Sequence, residues 1–383
     1  MSIGSPPEVA VDAPLVRAAR FTRVRDRMRE LEVDALLLSL GADLPWLTGY
    51  EAMALERLTM LVLPADDQAT LVVPALEAPR VAHDRRLFEM RPWSEHERAA
   101  EVVAALVGKR RRLAVSDRCW AAHLLELERS IPGAHWRSAR EVVGPLRAVK
   151  DAQEVAALCA AGAAADAVAG ALLGGEIALI GRSEAEVSAE ISSRLRESGH
   201  DRVNFSIVGS GPNSASPHHE PGRRLIGPGE VVVCDFGGSL RFAGGVGYCS
   251  DITRTLVTGE PEAEFAELYE VLRLAQAAAV AAAQVGAACE QVDGAGRELI
   301  TTAGYGPAFI HRIGHGIGIE EHEDPYMVAG NTTPIVAGHA FSVEPGIYLE
   351  GRFGARIEDI VIATEDGPLA CNRTDHNLAV VEA

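Results

Sequence analysis

Apolar residues in the first third of the chain recur at spacings that alternate between helical and extended. From Val16 to Leu31 they repeat at near-helical intervals among arginines, and a strand-like run follows at 33–39. Further strand-like runs and one helical pattern continue the alternation, at 58–63, 70–74, 97–107 and 112–115. This alternation predicts an N-terminal α/β domain over 15–146, preceded by a flexible tail at 1–14.

A second domain is predicted over 147–383, because a long alanine-rich helix begins soon after residue 147. Asp151 is a candidate N-cap and Glu154 stands three residues later, the spacing of a capping box. Further predicted helices lie at 184–197, 263–285 and 288–303, and predicted strands at 203–208, 230–235, 249–257, 340–344 and 356–363. A chain of 383 residues also exceeds the size of one core, so two domains are expected.

Charge and cysteine content narrow the class of protein. A net charge of −18 argues against a nucleic-acid partner, which would require clustered Lys and Arg. The six cysteines include no CxxC pair, which argues against a zinc ribbon and a disulfide scaffold and favours a reducing cytoplasm. Asp166 and Glu176 interrupt the Ala/Gly-rich stretch 160–181, which favours a packed helix over a membrane span. We therefore expect an acidic cytoplasmic enzyme.

Four carboxylates and one histidine stand inside apolar or glycine-rich runs of the last 150 residues, namely Asp235, Asp251, His315, Glu344 and Glu358. A lone carboxylate in a core costs several kcal/mol unless a positive group neutralises it. Asp235 is expected at the C-terminal end of a buried strand, with Gly237-Gly238 forming the turn that follows. The set is oxygen-rich and suits two Mn²⁺, Co²⁺, Zn²⁺ or Fe²⁺ ions that activate water.

Three members of this set, Asp251, Glu358 and His315, also have a structural explanation. Asp251 could cap a turn or pair with Arg254, and Arg356 could form an ion pair with Glu358. The Arg356–Glu358 ion pair would still leave Asp235, Asp251 and Glu344 without partners. His315 lies in HRIGHGIG, whose glycines allow close approach of the backbone; the loop could be structural, and it lacks the GxxxxGK[ST] pattern of a phosphate loop. HExxH is absent as well.

Two further histidines, His218 and His322, occur in polar loop-like segments, SPHHEP and EHEDP. As surface residues they would need no special explanation. If the metal hypothesis holds, they are candidates for binding a substrate carbonyl and stabilising a tetrahedral intermediate.

The runs CDFGG, SDITRT, HRIGHGIG, FSVEPGIY and RIEDIV resemble, in order, the metal-binding motifs of the pita-bread metallopeptidases, family M24. MRELEVDALLLS followed by LPWLTGY resembles the creatinase-like N-terminal domain of the proline-specific branch, which contains prolidase and aminopeptidase P. The resemblance implies a creatinase-like N-terminal α/β domain followed by a pita-bread (α+β) catalytic domain.

The resemblance also implies a role for each residue. Asp235 would chelate one metal, Asp251 and Glu358 would bridge both, and His315 and Glu344 would hold the other. Glu344 would act as general base, His322 would stabilise the tetrahedral intermediate, His218 would contact substrate and Arg356 would orient the bridging carboxylates. The interval from Asp235 to Asp251 is 16 positions here against about eleven in the family, so a longer hairpin loop is expected.

The function implied by the resemblance is hydrolysis of the bond between an N-terminal residue and proline. We favour an Xaa-Pro dipeptidase with two divalent metal ions, Mn²⁺ first among them, acting as a homodimer. The alternatives are an Xaa-Pro aminopeptidase acting on longer peptides, and a metal-free creatinase-like hydrolase or a non-catalytic binding protein on the same fold.

Overall fold

The computed structural model describes residues 13–242 and 246–381, which divide into two compact units. The first unit contains residues up to 147, and the second contains 148–242 and 247–381. The tail predicted at 1–14 lies outside the described residues except for 13 and 14, which already belong to the first helix.

The first unit is built from a mixed six-stranded sheet with flanking helices. In chain order its elements are α1 (Ala13–Glu30), β1 (Ala35–Leu38), α2 (Asp43–Thr48), β2 (Met60–Pro64), β3 (Ala69–Pro74), β4 (Phe88–Trp93), α3 (Ala99–Val107), β5 (Arg112–Val115), α4 (Ala121–Ser130), β6 (His135–Ser138) and α5 (Arg140–Ala148). The strand order is β4-β3-β2-β1-β5-β6. The central strand β1 is buried at every position, as expected for an apolar run without alternation.

The second unit contains two sheets and a two-stranded hairpin. Its elements are α6 (Ala152–Leu173), α7 (Glu184–Glu197), β7 (Arg202–Ser210), β8 (Val231–Arg241), β9 (Gly247–Cys249), β10 (Ile252–Val257), α8 (Ala263–Ala282), α9 (Cys289–Thr302), β11 (Gly314–Gly316), β12 (Glu323–Met327), β13 (Ala340–Val343), β14 (Gly346–Leu349), β15 (Phe353–Arg356), β16 (Asp359–Thr364), β17 (Gly367–Ala370) and β18 (Ala379–Val380).

The two sheets of the second unit are each covered by a pair of helices. One sheet has the order β18-β10-β8-β7, with β9 paired to β8, and packs against α6 and α7 through a shared apolar core. The other has the order β12-β11-β13-β16-β17, and its core includes α8, α9 and the hairpin of β14 and β15. This arrangement of sheets and helices surrounds the predicted metal ligands.

Helix α6 begins where the capping-box pattern places it. The Asp151 carboxylate accepts hydrogen bonds from the amides of Gln153 and Glu154, and the Glu154 carboxylate accepts one from the Asp151 amide. Among the described helices, α6 has the length and hydropathy of a membrane span, but more than half of that stretch is buried. Its alanines pack in the core of the first sheet, and Ala157 packs in a smaller cluster with residues of β9, β13 and β16, as predicted for a packed helix.

Three of the predicted strands differ from the structure at the candidate site. The strand predicted at 249–257 is broken, because β9 ends at Cys249 and β10 begins at Ile252. Strand β8 does not end at Asp235 but continues through Gly237 and Gly238 to Arg241. The two glycines are required by crowding and not by a turn, since a Cβ at Gly237 would lie 2.2 Å from the Ser250 carbonyl. The strand predicted at 356–363 is likewise interrupted: β15 ends at Arg356 in the hairpin, and β16 begins at Asp359 in another sheet.

The guanidinium of Arg254 is a buried link between β10 and β16. It donates to the Asp359 carboxylate at 2.8 Å and to the carbonyl of Glu358 at 2.8 Å. It also donates to the Thr374 carbonyl, and its side chain is 1% exposed. Arg254 is therefore not the partner of Asp251, and the alternative explanation that paired them is wrong.

Replacing Arg254 with methionine is expected to lower the free energy of unfolding by about 3–5 kcal/mol, because it leaves Asp359 buried beside unsatisfied carbonyls. The control is Arg273→Met, which removes an exposed ion pair with Glu270 on α8 and should change stability by less than about 0.5 kcal/mol. Urea unfolding of both variants tests this, and similar losses in the two would contradict it.

Candidate metal centre

The five predicted ligands come from five different places in the second unit and converge on one buried region. Asp235 lies within β8, Asp251 lies between β9 and β10, and His315 is the middle residue of β11. Glu344 directly follows β13, and Glu358 lies between β15 and β16. Asp251 and Glu358 thus occupy breaks between strands, where a side chain can leave the usual alternation of faces.

Three of these side chains form the closest group. Asp251, His315 and Glu358 each offer one ligand atom, and these atoms lie within 4.8 Å of one another. Glu344 joins them, because its Oε1 is 3.3 Å from His315 Nε2, and Asp251 Oδ2 is 3.7 Å from the same nitrogen. The exposed fractions of the Asp251, His315 and Glu358 residues are 4%, 2% and 2%. A buried group of this kind is typical of a metal site.

Asp235 is held by Arg356. The Arg356 guanidinium donates from Nη2 to Asp235 Oδ2 at 2.5 Å and from Nε to Thr253 Oγ1 at 3.1 Å. Thr253 Oγ1 donates in turn to Glu358 Oε2 at 2.7 Å. The proposed Arg356–Glu358 ion pair is therefore wrong: Arg356 pairs with Asp235 and reaches Glu358 only through Thr253.

The site contains carboxylate oxygens that require a positive partner. Asp235 Oδ1 and Asp251 Oδ1 are buried and accept no hydrogen bond from the residues that the structure describes. Burial, with the neighbouring Glu358 and Asp235 carboxylates, raises the pKa of Asp251 well above its usual range. Burial and the charge of Glu344 do the same to the pKa of Glu358. Divalent cations would satisfy these oxygens, so the residues present fit a metal centre.

The protonation of the other two ligands is compatible with metal binding. Burial lowers the pKa of His315 to about 3, with a smaller effect from His322, so the imidazole is neutral as a metal ligand must be. Burial raises the pKa of Glu344 to about 7. Ser342 fixes the positions of both groups, because its hydroxyl accepts from the His315 amide and donates to Glu344 Oε1, each at 3.0 Å.

The glycines around His315 serve close packing of strands. Gly314, His315 and Gly316 form the short strand β11 and not the open loop that the sequence suggested. A Cβ at Gly314 would lie 1.9 Å from the Ser342 carbonyl, and one at Gly316 would lie 2.3 Å from the Asp324 carbonyl. The prediction of close backbone approach was correct, but the approach is to neighbouring strands.

Replacing Gly314 with alanine is therefore expected to displace β11, lowering the free energy of unfolding by about 1–3 kcal/mol and weakening metal binding through His315. Gly294→Ala is the matched control, since a Cβ there meets nothing within 4 Å in helix α9. That change should be neutral or stabilising by roughly 0.5–1 kcal/mol. Equal urea unfolding curves for the two variants would contradict the packing argument.

His322 lies at the exposed edge of the site. Its ring is tilted by 37° against that of His315, with centroids 3.9 Å apart, and its Nδ1 is 3.4 Å from Nη2 of Arg312. The Arg312 guanidinium lies over the Tyr326 ring, 4.4 Å from the centroid. Burial and the charge of Arg312 lower the pKa of His322. An exposed imidazole next to a buried ligand is well placed to contact a bound substrate.

His218 is exposed on the loop after β7, and a buried carboxylate secures that loop. Glu184, whose side chain is fully buried, accepts hydrogen bonds from the Ser210 amide and hydroxyl, from Asn213 and from His219 Nε2. Burial alone would raise the pKa of Glu184, but the hydrogen bonds of Asn213, His219 and Ser210 lower it. The Pro217 carbonyl also accepts from Arg356 Nη2 at 3.3 Å, which connects the loop to Asp235.

Sequence reasoning missed several of the supporting residues. Tyr348 accepts from Arg356 Nη1 at 2.8 Å and lies 3.0 Å from His311 Nε2. Thr253 links Arg356 to Glu358, and Ser342 links His315 to Glu344. The four supporting residues lie inside the quoted motifs SDITRT, HRIGHGIG and FSVEPGIY, and they are Thr253, His311, Ser342 and Tyr348. Their roles depend on contacts between distant segments, which the spacing of residues along the chain does not reveal.

Comparison with known proteins identifies the family of both units. The model of metallopeptidase family M24 matches residues 148–365, and that of the creatinase/prolidase N-terminal domain matches residues 20–149. The chain belongs to metallopeptidase family M24. It is thus a peptidase with a creatinase-type N-terminal domain and a pita-bread catalytic domain, as the motifs predicted, and the family implies divalent metal ions.

Individual relatives cover nearly the whole chain. It is 43% identical over 370 residues to a protein named probable dipeptidase PepE of Mycobacterium tuberculosis, covering 96% of this chain and 97% of the relative. It is 33% identical to the Xaa-Pro dipeptidase of Lactobacillus helveticus, with 94% and 98% covered. The crystal structure of dipeptidase PepE from Mycobacterium ulcerans has a TM-score of 0.90 at 41% identity, with 96% and 99% covered.

Proposed function

We propose that this M24 peptidase is an Xaa-Pro dipeptidase that uses two divalent metal ions, Mn²⁺ first among the candidates. The observation that carries the proposal is the convergence of all five ligand-type side chains, two of which have buried oxygens without a hydrogen-bond donor among the described residues. The Xaa-Pro dipeptidase of Lactobacillus helveticus, which aligns over almost its full length, supports the substrate class. A cytoplasmic homodimer is part of the same proposal.

The ions would be held by Asp235, Asp251, His315, Glu344 and Glu358. Divalent cations bound there would polarise the substrate carbonyl and acidify a water molecule. Glu344 is the general base of the proposal, because burial raises its pKa to about 7, which suits a group that accepts a proton near neutral pH. Ser342 holds the Glu344 carboxylate in place while the proton is transferred.

The remaining side chains position the substrate and the ligands. His322 stands over His315 at the exposed edge and would donate a hydrogen bond to the oxygen of the tetrahedral intermediate. Arg356 fixes Asp235 directly and Glu358 through Thr253, and so holds these two carboxylates at fixed positions relative to each other. His218 would contact the substrate from the loop that Arg356 also holds.

The deciding experiment compares Ala-Pro with Ala-Pro-Ala as substrates after the protein has been loaded with Mn²⁺ or Co²⁺. We expect faster hydrolysis of the dipeptide, loss of activity with a chelator, and two metal ions per chain. Hydrolysis of the tripeptide alone would identify an Xaa-Pro aminopeptidase, a possibility kept open by the similarity to the X-Pro aminopeptidase of Thermotoga maritima. Absence of metal together with cleavage of neither peptide would contradict the proposal and favour a metal-free relative.

Replacing Glu184 with glutamine should loosen the loop that carries His218. Loss of the charged acceptor is expected to lower kcat/KM for Ala-Pro on the order of tenfold, mainly through KM, with metal content unchanged. Glu186→Gln on the same helix is the control, because Glu186 caps α7 and is bound to Ser183 and not to the loop. An equal effect of both changes on KM would assign the loss to the helix and contradict the role of Glu184.

A further inference from the structure

Two cysteines in the second unit are in direct contact although 212 positions separate them. Cys159 lies on α6, Cys371 follows β17, and their sulfur atoms are 3.5 Å apart. Neither belongs to the metal centre, and the proposed peptidase chemistry uses neither thiol. We propose that Cys159 and Cys371 form a redox-active dithiol site, in which an organic disulfide oxidises the pair to an intramolecular disulfide.

The backbone around the pair allows the two sulfurs to be joined. Gly162 lies one turn after Cys159 and so faces the same side of α6. A Cβ at Gly162 would lie 2.8 Å from the Cys371 carbonyl oxygen and 3.0 Å from its Cβ, so the helix and the segment at 371 are in close contact. The Cys371 amide also donates to the Ile360 carbonyl at 2.8 Å, which holds that segment on β16. The backbone segments that carry the two sulfur atoms are therefore held close together by contacts of their own.

The two thiols differ in the way that an attacking and a resolving cysteine must differ. Cys159 is partly exposed, whereas Cys371 is buried, so an external oxidant meets Cys159 first. The contact with Cys371, and to a smaller extent the charge of Arg373, lowers the pKa of Cys159. A partly exposed thiol with a lowered pKa that stands next to a second thiol is the usual arrangement of a redox-sensitive site.

The reaction is a pair of thiol–disulfide exchanges. The Cys159 thiolate attacks one sulfur of the organic disulfide, forms a mixed disulfide and releases one organic thiolate. The Cys371 thiol then loses its proton to the released organic thiolate and attacks the Cys159 sulfur, which closes the protein disulfide and releases the second organic thiolate. Two cysteine thiols are oxidised, one organic disulfide is reduced to two thiols, and the two cysteine protons end on those thiols.

The other cysteines provide an internal comparison. Cys119 in the first unit is also partly exposed, but burial raises its pKa to about 11 and its sulfur lies 3.7 Å from a backbone carbonyl. Cys234, Cys249 and Cys289 are buried, and burial raises the pKa of the first two thiols to about 12 and that of Cys289 to about 11. The contact with Cys159, together with burial, also raises the pKa of Cys371, so what distinguishes Cys371 from these thiols is its sulfur contact with Cys159. Oxidised glutathione should therefore select the Cys159–Cys371 pair.

The test is treatment of the full-length, reduced protein with oxidised glutathione, followed by peptide mapping without reduction. We expect a peptide that joins Cys159 to Cys371, loss of two hydrogens from the intact mass, and reversal by dithiothreitol. Because the bond would close a loop of 212 positions, Tm should rise by roughly 5–10 °C on oxidation. This readout does not depend on peptidase activity.

Single substitutions distinguish the attacking cysteine, Cys159, from the resolving cysteine, Cys371. Cys371→Ser should stop at the mixed disulfide on Cys159, Cys159→Ser should leave Cys371 unmodified, and Cys119→Ser should behave like the natural sequence. A mixed disulfide on Cys159 that persists without closing in the natural protein would overturn the proposal, as would modification of Cys371 in Cys159→Ser. The mapping of the natural protein decides the matter even if a variant folds poorly.

Discussion

Replacing Glu344 with glutamine is expected to lower kcat for Ala-Pro by about 10²–10⁴-fold, the usual contribution of a general base. Burial raises the pKa of Glu344 to about 7, and the carboxylate stands next to His315 and Ser342. Glutamine keeps the shape and a carbonyl oxygen but cannot accept the proton. The fold should be retained, because the change removes a buried charge and leaves the Ser342 hydroxyl an acceptor.

Two measurements separate the roles of Glu344 as base and as ligand. If metal content by elemental analysis stays near that of the natural protein while kcat falls, the loss belongs to proton transfer. If metal and activity are lost together, Glu344 acts chiefly as a ligand. Glu350→Gln, at the exposed tip between β14 and β15, is the control and should leave both quantities unchanged. A Glu344→Gln variant with full activity would remove Glu344 from the mechanism.

The fold class could be predicted because the periodicity of apolar residues reports directly on the local structure. The α/β alternation of the first unit and the start of α6 at Asp151 follow from patterns within about ten residues. The path of β8 could not be predicted in the same way. Gly237 and Gly238 are typical of a turn, yet they lie inside a strand because Ser250 and Arg202 approach closely from both sides.

Local sequence patterns did not predict that two of the strands at the site are interrupted. SDITRT and RIEDIV each resemble a continuous strand, and each is broken at the acidic residue, Asp251 or Glu358. These breaks occur where the chain passes from one set of partners to another, which only the assembled sheets determine. The 16-position interval between the aspartates was expected to give a long hairpin loop, and residues 243–245 of that loop lie outside the described part of the chain.

The burial of several carboxylates predicted that cations are needed at the site, but it did not predict which carboxylate is neutralised by an arginine of the protein itself. Arg356 was expected to orient the bridging carboxylates, whereas its direct partner is Asp235 and its contact with Glu358 passes through Thr253. The Arg356 guanidinium thus pairs with one oxygen of Asp235 and leaves Asp235 Oδ1 without a donor, and Asp251 has no arginine or lysine partner among the described residues. Asp251 is therefore the member of the set whose charge depends most on bound metal.

Replacing Asp251 with asparagine should consequently have opposite effects on the metal-free and metal-loaded proteins. In the metal-free protein, removal of a buried acid that crowds Glu358 and Asp235 should raise the free energy of unfolding by about 1–3 kcal/mol. In the presence of metal, the variant should lose the stabilisation from binding, which amounts to about 2.7 kcal/mol at a metal concentration 100 times Kd. Peptidase activity should disappear with the metal.

Thermal unfolding of chelator-treated and Mn²⁺-loaded samples measures both effects in one experiment. The two melting curves of Asp251→Asn should nearly coincide, with the metal-free Tm above that of the natural protein. Asp366→Asn, in the exposed turn between β16 and β17, should keep the natural difference between the two samples. A variant that is still stabilised by Mn²⁺ to the natural extent would show that Asp251 is not a ligand. A metal-free Tm below the natural value would show that the aspartate serves the fold, because a site built around cations should tolerate losing one of its negative charges.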